Sequence, residues 1–575
     1  MMTWLDRFNA VWSIDFEFSS PSGERPSVAC LVAREYHTKQ LIRLARKDIT
    51  NQPPFDLSES SLFVAYFASA EWNCFLSLGW ELPTRTIDLW VEFKNQLNGL
   101  PFPKAGMGLL GCLFHHGLPA IGAEEKEAMR ELAMRGGSYS EREMAELLDY
   151  CQSDVDALDR LLPVMAPNID APRALLRGRY MQAIARMEHC GIPIDTKSLN
   201  KFRNHWGDIK SHLVSEVDQT FGVYDGLSFK QDRFKQYLKE NDIPWPHTPT
   251  WKLKLDDDTF RQQAKLYPQV SPLRELRHTM SELKLEKLEV GADGRNRTML
   301  RPFASRSGRN QPSNNKFIFG PSVWIRGLIQ PEKDRAIAYV DWSQQELGIA
   351  AALSADPAMS QAYASGDPYL EFARMADAVP TDATKQTHPQ ERAAYKVCML
   401  AVQYGMTEVG LASKLNCSVA FARHLLQKHR STFPVFWSWS QSQVDAAMLE
   451  LSNRTVFGWQ IQTTGRDNPR FLANFPMQAN GAEMLRLACC LATEDGINVC
   501  CPIHDALLVE GHSSTMEQTV RRTMEHMTEA SRVVLDGFEL SADYKIVRWP
   551  DRYHDEDRGV EMWNRITDLA SQFVE

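Results

Sequence analysis

The chain has 575 residues, 43% of them hydrophobic and 24% charged, with a formal net charge of -9. That length exceeds one ordinary core and predicts about three or four domains. The composition excludes a disordered chain, and no run approaches the roughly 18 apolar residues of a membrane span. The eleven cysteines, odd in number and without CxxC spacing, exclude a disulfide framework or a zinc ribbon and fit reduced residues of a cytoplasmic protein.

In chain order, "VWSIDFEF", "SVACLVAREY" and "KQLIRLARK" read as strands. The segment "SEREMAELLDYCQSDVDALDRLL" opens with a Ser-x-x-Glu capping box, Ser140 to Glu143, and carries Met144, Leu147, Leu148, Cys151 and Val155 at helical spacing. Three prolines in "PVMAPNIDAPR" predict a linker near residue 168. Residues from about 197 to 290 are charged amphipathic segments broken by "IPWPHTPTW", and are expected to form an arm rather than a core. Between Arg295 and Arg326 the charged residues are Arg295, Arg297, Arg301, Arg306, Arg309, Lys316 and Arg326, with no acid among them. Such a run suits a solvated face or phosphate contact equally. The strand "AIAYVDW" follows, then a helix whose own capping box would join Ser343 to Glu346, several helices to about residue 492, and a hairpin holding His504 and Asp505.

Two groups of acids stand out. In "SIDFEF", strand alternation sends Asp15 and Glu17 to one face, about 6 to 7 Å apart, where a divalent metal would relieve their repulsion. Tyr150 and Asp154, four residues apart, share a face of the helix after the Ser140 box, and a phenol beside a carboxylate orients water. Further on, Asp341 ends an apolar strand and Asp505 sits in a tight hairpin. Between them Arg392, Lys396, Leu400 and Tyr404 advance about 40° per step around one helix, a stripe suited to a triphosphate and a stacked base.

"DFE" and "YCQSD" resemble the first and third motifs of RNase H-like, DEDD-type 3'-5' proofreading exonucleases. The resemblance implies that Asp15, Glu17 and Asp154 hold two metal ions while Tyr150 positions the attacking water. For the second motif "AYFASAEW" offers Glu71 and "RTIDLW" offers Asp88; Glu71 is preferred, although the family's Asn is missing.

"DWSQQE", "RAAYKVCMLAVQYG" and "IHDA" resemble, in order, motifs A, B and C of family A DNA polymerases. "ARMEHCGIPID" resembles the entry to that domain, "SGRNQPSNN" its primer-template segment and "RFLANFPMQANGAE" a further family stretch, so the likeness runs from roughly residue 174 to 550. It implies an α/β multidomain fold. An RNase H-like exonuclease domain over residues 1–168 would precede a right-hand polymerase over 169–575, with thumb at about 196–290, palm at 291–345 and 465–575, and fingers at 346–464.

Carried onto this chain, the resemblance implies that Asp341, Asp505 and the Trp342 carbonyl hold two Mg2+ ions, as the exonuclease site would, with Mn2+ as a substitute. Arg392 and Lys396 would meet the phosphates, Tyr404 the templating base, Glu346 the sugar 2'-position, and Tyr369 would replace a fingers histidine. Leu400 stands where the family has an aromatic residue. Arg309, Arg470, Asn474, Gln478 and His504 would follow the minor groove of the primer-template. Ala506 replaces the third acid of motif C. The expected partners are primer-template DNA, deoxynucleoside triphosphates and replication accessory proteins, with no membrane. The expectation from this layout is an enzyme with no 5'-nuclease domain before Asp15, resembling a phage or prophage enzyme working in bacterial cytoplasm. The rival expectations are an exonuclease whose polymerase half has decayed into a DNA clamp, and a scaffold that binds primed DNA.

Overall fold

The computed structural model describes residues 4–119, 123–282, 285–320, 323–555 and 559–573. Two compact units emerge, one built from residues 1–191, 300–311 and 336–546, the other from 192–299, 312–335 and 547–575. The prolines near residue 168 make no extended linker. A helix runs over Glu141–Met165 with Pro163 in its last turn, a single 3-10 turn covers Ala166–Asn168, and the next helix starts at Ala171 with Pro172 in its first turn. A proline there loses nothing, because first-turn N–H groups have no helical partner.

In the first unit, strands β1 (Ala10–Ser19), β2 (Ser27–Glu35), β3 (Leu41–Ala45), β4 (Ser61–Ala65) and β5 (Thr86–Asp88) form a sheet of order 3-2-1-4-5, in which β2 runs against its neighbours. Helices α1 (Ser69–Ser77), α2 (Leu89–Leu97), α3 (Leu109–His115), α4 (Ala123–Arg135), α5 (Glu141–Met165) and α6 (Ala171–Cys190) follow. The reciprocal Ser140–Glu143 capping box starts α5 as its sequence predicts. Leu147, Cys151 and Val155 of α5 pack on Ala29, Cys30 and Val32, while Leu158, Leu161 and Leu162 join Val11, Leu62, Val64 and Phe93. One long helix is thereby fixed against the sheet, and Tyr150 and Asp154 are carried beside β1.

The same unit holds a four-stranded sheet made of β6 (Arg335–Trp342), β7 (Asn498–Ile503), β8 (Ala506–His512) and β9 (Ala542–Arg548), in the order β7-β8-β6-β9. The unit also holds the helices α7 (Gln345–Ser354), α8 (Pro368–Met375), α9 (Pro389–Gln403) and α10 (Pro469–Glu494). The capping box expected at Ser343 is absent. Gln344 takes a left-handed conformation (φ 48°) with no side-chain cap, and Ser343 Oγ instead donates to Asp543 Oδ2 at 2.5 Å. A strand neighbour 200 residues away wins over the local alternative.

The second unit contains helices Thr196–Asn204, Trp206–Phe221, Gln231–Glu240, Asp257–Leu266 and Ser271–Glu282. It is more than an arm: Phe234, Trp245 and Phe260 pack ring against ring at 4.8–5.5 Å, and Phe202, Trp324 and Trp563 form another aromatic group. Among the described residues no helix is long and apolar enough to cross a membrane.

Candidate active sites

Asp341 ends β6 and Asp505 lies in the two-residue turn between β7 and β8, where the Trp342 N–H donates to the Asp505 carbonyl at 3.4 Å. The turn is tight enough to hold His504 at φ 54°, a left-handed conformation that is rare for a non-glycine residue. Burial pushes the Asp341 carboxyl up to about 6, with the charges of Asp505 and Asp543 adding to the effect. Asp505 is raised as well, chiefly by burial, against the pull of its own backbone, His504 and Arg309. Acids held above their ordinary range by burial, Asp341 also by its neighbours' charge, gain from a cation between them, so the pair suits a divalent metal.

A cleft of about 290 Å3 opens beside Asp505, lined by Arg309, Gln344, Gln345, Glu346, Leu347, Tyr369, Leu400, Gln403, Tyr404 and His504. It gathers most of the nucleotide-site residues expected from sequence. Tyr404 caps the C-terminus of α9, and its hydroxyl donates to Glu346 Oε1 at 3.0 Å while Arg309 pairs with the same oxygen at 3.6 Å. Burial, then the Glu346 charge, pushes the Tyr404 phenol up to about 12, so it stays a donor. Gly405 follows at φ 60°; a Cβ there would come within 2.9 Å of Arg470 Cγ, so the turn requires glycine.

On α9, Tyr395, Cys398, Met399 and Val402 are buried while Lys396 is exposed and Arg392 half-buried, as the stripe predicts. Both cations lie 5.6 Å from the Tyr369 ring centre. Arg392 Nε also donates to Asp367 at 2.6 Å. Neither cation lines the cleft itself. Arg470, Asn474 and Gln478 are on α10, with Asn474 Oδ1 buried and lacking a protein partner.

Sequence reasoning missed three groups. Gln345 Nε2 and both amide atoms of Gln403 are buried without protein partners at the cleft. A buried orphan amide calls for a ligand or a water, because leaving it unpaired costs about 1–3 kcal/mol. Asp543, the third, shares the field of Asp341.

The N-terminal acids also converge. Asp15 and Glu17 project from β1 beside a bulge at Glu17/Phe18, and their carboxylates lie with the Cys151 sulfur within 4.8 Å of one another. Cys151 Sγ donates to Asp15 Oδ2 at 3.2 Å. Burial and then Asp154 push Asp15 up to about 7, and burial and then Asp15 push Glu17 up to about 10. Glu71 on α1 is driven the same way by burial, Asp15 and Glu17, and its Oε2 is buried without a partner. Asp88 differs: its carboxylate accepts from the N–H groups of Phe67, Ala68, Trp90 and Val91. Four backbone bonds make Asp88 a structural cap, leaving Glu71 as the acid that faces the others. Tyr150 and Asp154 are buried on α5, and Lys126 Nζ donates to Asp154 at 2.7 and 3.0 Å. This crowding of acids around an orphaned carboxylate oxygen fits a metal-binding set.

The basic run is mostly paired within the protein. Arg295 meets Glu332, Arg297 meets Asp293, Arg306 meets Asp467, Arg309 meets Glu346, Lys316 meets Glu289 and Arg326 meets Asp555. Of these, Arg309 alone lines the cleft.

The site thus has Asp341 at the end of β6, Asp505 in the adjoining β7-β8 turn, and a cleft beside them lined in part by α9. Residues 315–548 match the family model described as DNA polymerase family A. The chain is 24% identical over 405 residues to DNA polymerase I of Aquifex aeolicus, covering 66% of this chain and 68% of that protein. It is 22% identical over 371 residues to the thermostable DNA polymerase I of Thermus aquaticus, covering 60% of this chain and 44% of that protein. The chain thus spans about two-thirds of the first relative and less than half of the second. Among solved structures, it shares its fold with the POL domain of Pol1 from M. smegmatis in complex with DNA primer-template and dNTP, with a TM-score of 0.71, 18% identity, and coverage of 95% of this chain and 97% of that one.

Proposed function

We propose that this chain is a template-directed DNA polymerase that adds deoxynucleotides to a primer 3' end, with a 3'-5' exonuclease in its N-terminal part. The observation that carries the reading is the cleft where Asp505, Glu346, Tyr369, Leu400 and Tyr404 meet from separate stretches of chain, beside Asp341 and the orphaned amides of Gln345 and Gln403. Asp341, Asp505 and the Trp342 carbonyl would hold two divalent cations, Mg2+ or Mn2+, which supply activation of the primer hydroxyl and neutralisation of the triphosphate.

The chain's own groups do the rest. Lys396, and Arg392 once it leaves Asp367, take the incoming phosphates and offset charge developing on pyrophosphate. Glu346, held in place by the Tyr404 hydroxyl, crowds the sugar 2'-position and selects deoxynucleotides. Tyr404 borders the templating base. Arg309, Arg470, Asn474, Gln478 and His504 meet minor-groove acceptors, which occupy similar places for every base pair and so report pair shape.

In the N-terminal part the sheet order 3-2-1-4-5 with one reversed strand supports an RNase H-like domain. Asp15, Glu17, Glu71 and Asp154 would hold the metals there, and Tyr150 would orient water. Editing has a physical reason, because binding differences alone do not give discrimination of about 10⁴ to 10⁵. A labelled primer on a template tests both activities: Asp341→Ala abolishes extension but spares degradation, and Asp15→Ala does the reverse. Synthesis that survives Asp341→Ala overturns the polymerase reading.

One observation favours a second reading of the N-terminal part. Lys126 already neutralises Asp154, so this part could shelter a frayed 3' end without cutting it; degradation that is equally slow in wild type and Asp15→Ala selects that reading.

A further inference from the structure

Ala506 stands where motif C was expected to carry a third acid, and its side chain is fully buried. Whether another carboxylate stands near the palm acids is answered on the opposite side of β6. In the order β7-β8-β6-β9, the central β6 carries Asp341, β8 begins at Ala506, and β9 brings Asp543.

The contact between β6 and β9 is built from four groups. The Ser343 N–H donates to the Ser541 carbonyl at 2.9 Å, and Ser343 Oγ donates to Asp543 Oδ2 at 2.5 Å. The Tyr363 hydroxyl donates to the Ser343 carbonyl at 3.2 Å and accepts from the Ser541 N–H at 3.1 Å. The residues after Asp341 are therefore pinned to the start of β9, at the point where Gln344 turns into its left-handed conformation. This network ties Asp543 to Ser343, two residues after Asp341, and so holds its carboxylate on the segment that carries the palm acid.

We propose that Asp543 supplies the third carboxylate of the palm, replacing across β6 the acid that position 506 lacks. The proposal rests on the polymerase reading above. Asp543 is a positioning residue: it adds negative charge to the cation-binding field and, through Ser343, holds the segment that carries Asp341. A third carboxylate outside direct coordination strengthens cation binding by Coulomb attraction over several ångströms of partly wetted protein. It has no need to lie on the strand that carries Asp505.

The charge and the anchor are separable. Asp543→Asn keeps an acceptor for Ser343 but removes the charge; Ser343→Ala keeps the charge but removes the anchor. Each is made in the Asp15→Asn background, which weakens cation binding at the N-terminal acids, and in otherwise full-length protein. Asp543→Asn is expected to raise the Mg2+ concentration for half-maximal primer extension about three- to tenfold. Mn2+ binding, read from the free-ion electron paramagnetic resonance signal without DNA or nucleotide, should weaken by the same factor. The thermal midpoint should not move, and adding Ala506→Glu to Asp543→Asn should bring the Mg2+ dependence back toward that of the parent. If the glutamate is not tolerated in that buried position, Asp543→Glu, which should keep the parent Mg2+ dependence, replaces it.

Unchanged Mg2+ and Mn2+ dependence in Asp543→Asn overturns the proposal and leaves Asp543 as an anchor for Ser343. Asp341→Asn runs alongside. If it extends primers like the parent, the polymerase reading itself fails; if it is inactive while Asp543→Asn matches the parent, this proposal alone fails.

Discussion

The buried ion pair between Glu92 and Arg177 joins α2 to α6 within the first unit. Arg177 Nε and Nη2 donate to the two Glu92 oxygens, both at 2.7 Å, and Nη1 reaches the Phe457 carbonyl at 3.3 Å. Their side chains are only 6% and 4% exposed, so water does not screen the pair. Around it, Asn95 Nδ2 donates to the Gly458 carbonyl, and Asn98 Nδ2 to those of Arg306 and Gln460. Arg177→Met leaves the Glu92 carboxylate buried and uncompensated, which costs about 3–5 kcal/mol. Glu92→Leu combined with Arg177→Met removes both charges and should fall within about 1 kcal/mol of wild type. Amide hydrogen exchange over residues 89–97 and 171–190 reads the local opening free energy directly. An Arg177→Met variant within 1 kcal/mol of wild type, or a double variant as unstable as the single one, refutes the reasoning.

Three further outcomes follow from the same geometry. Asp341 at about 6 and Asp15 at about 7 bind their protons more tightly folded than unfolded. Their stabilising contribution is complete below about pH 4 and is lost as pH rises through 6 and 7. Metal-free protein should therefore melt lower at pH 8 than at pH 5.5, with Mg2+ restoring the midpoint at pH 8, and Asp15→Asn with Asp341→Asn should flatten the trend; a calorimetric midpoint independent of pH in this window contradicts the assignment. Glu346→Ala frees the sugar 2'-position and should cut discrimination against ribonucleotides by at least about tenfold, measured as the ratio of kcat/KM for matched deoxy- and ribonucleotides; an unchanged ratio removes Glu346 from that role. Lys126→Met releases Asp154 and should tighten Mn2+ binding at the N-terminal acids about three- to tenfold, read by paramagnetic resonance in the Asp341→Asn background. Weaker binding would mean that the lysine supports the site.

Local pattern was enough to bring most of the candidate residues together. Strand alternation put Asp15 and Glu17 together, the capping box placed the start of α5, and the order of the three polymerase-like motifs pointed to the cleft. What local pattern missed was decided by partners far away in the chain. Ser343 abandons its capping box because β9 offers Asp543. Asp88 stood as the alternative to the preferred Glu71 until the turn at Phe67 and Ala68 delivered two N–H groups to Asp88. The basic run suited a solvated face and phosphate contact equally because the acids that neutralise it come from residues 289, 293, 332, 346, 467 and 555. Gln345 and Gln403 carried no signal, since a glutamine within an apolar helical stretch reads as ordinary until its amide is found buried and unanswered.

The most direct test of the polymerase reading is single-turnover incorporation on four primer-templates that differ only in the templating base, with Asp505→Asn beside wild type. The wild-type protein should add the complementary deoxynucleotide in each case, and Asp505→Asn should add none at a comparable rate. Incorporation that ignores the templating base, or that persists undiminished in Asp505→Asn, would contradict it.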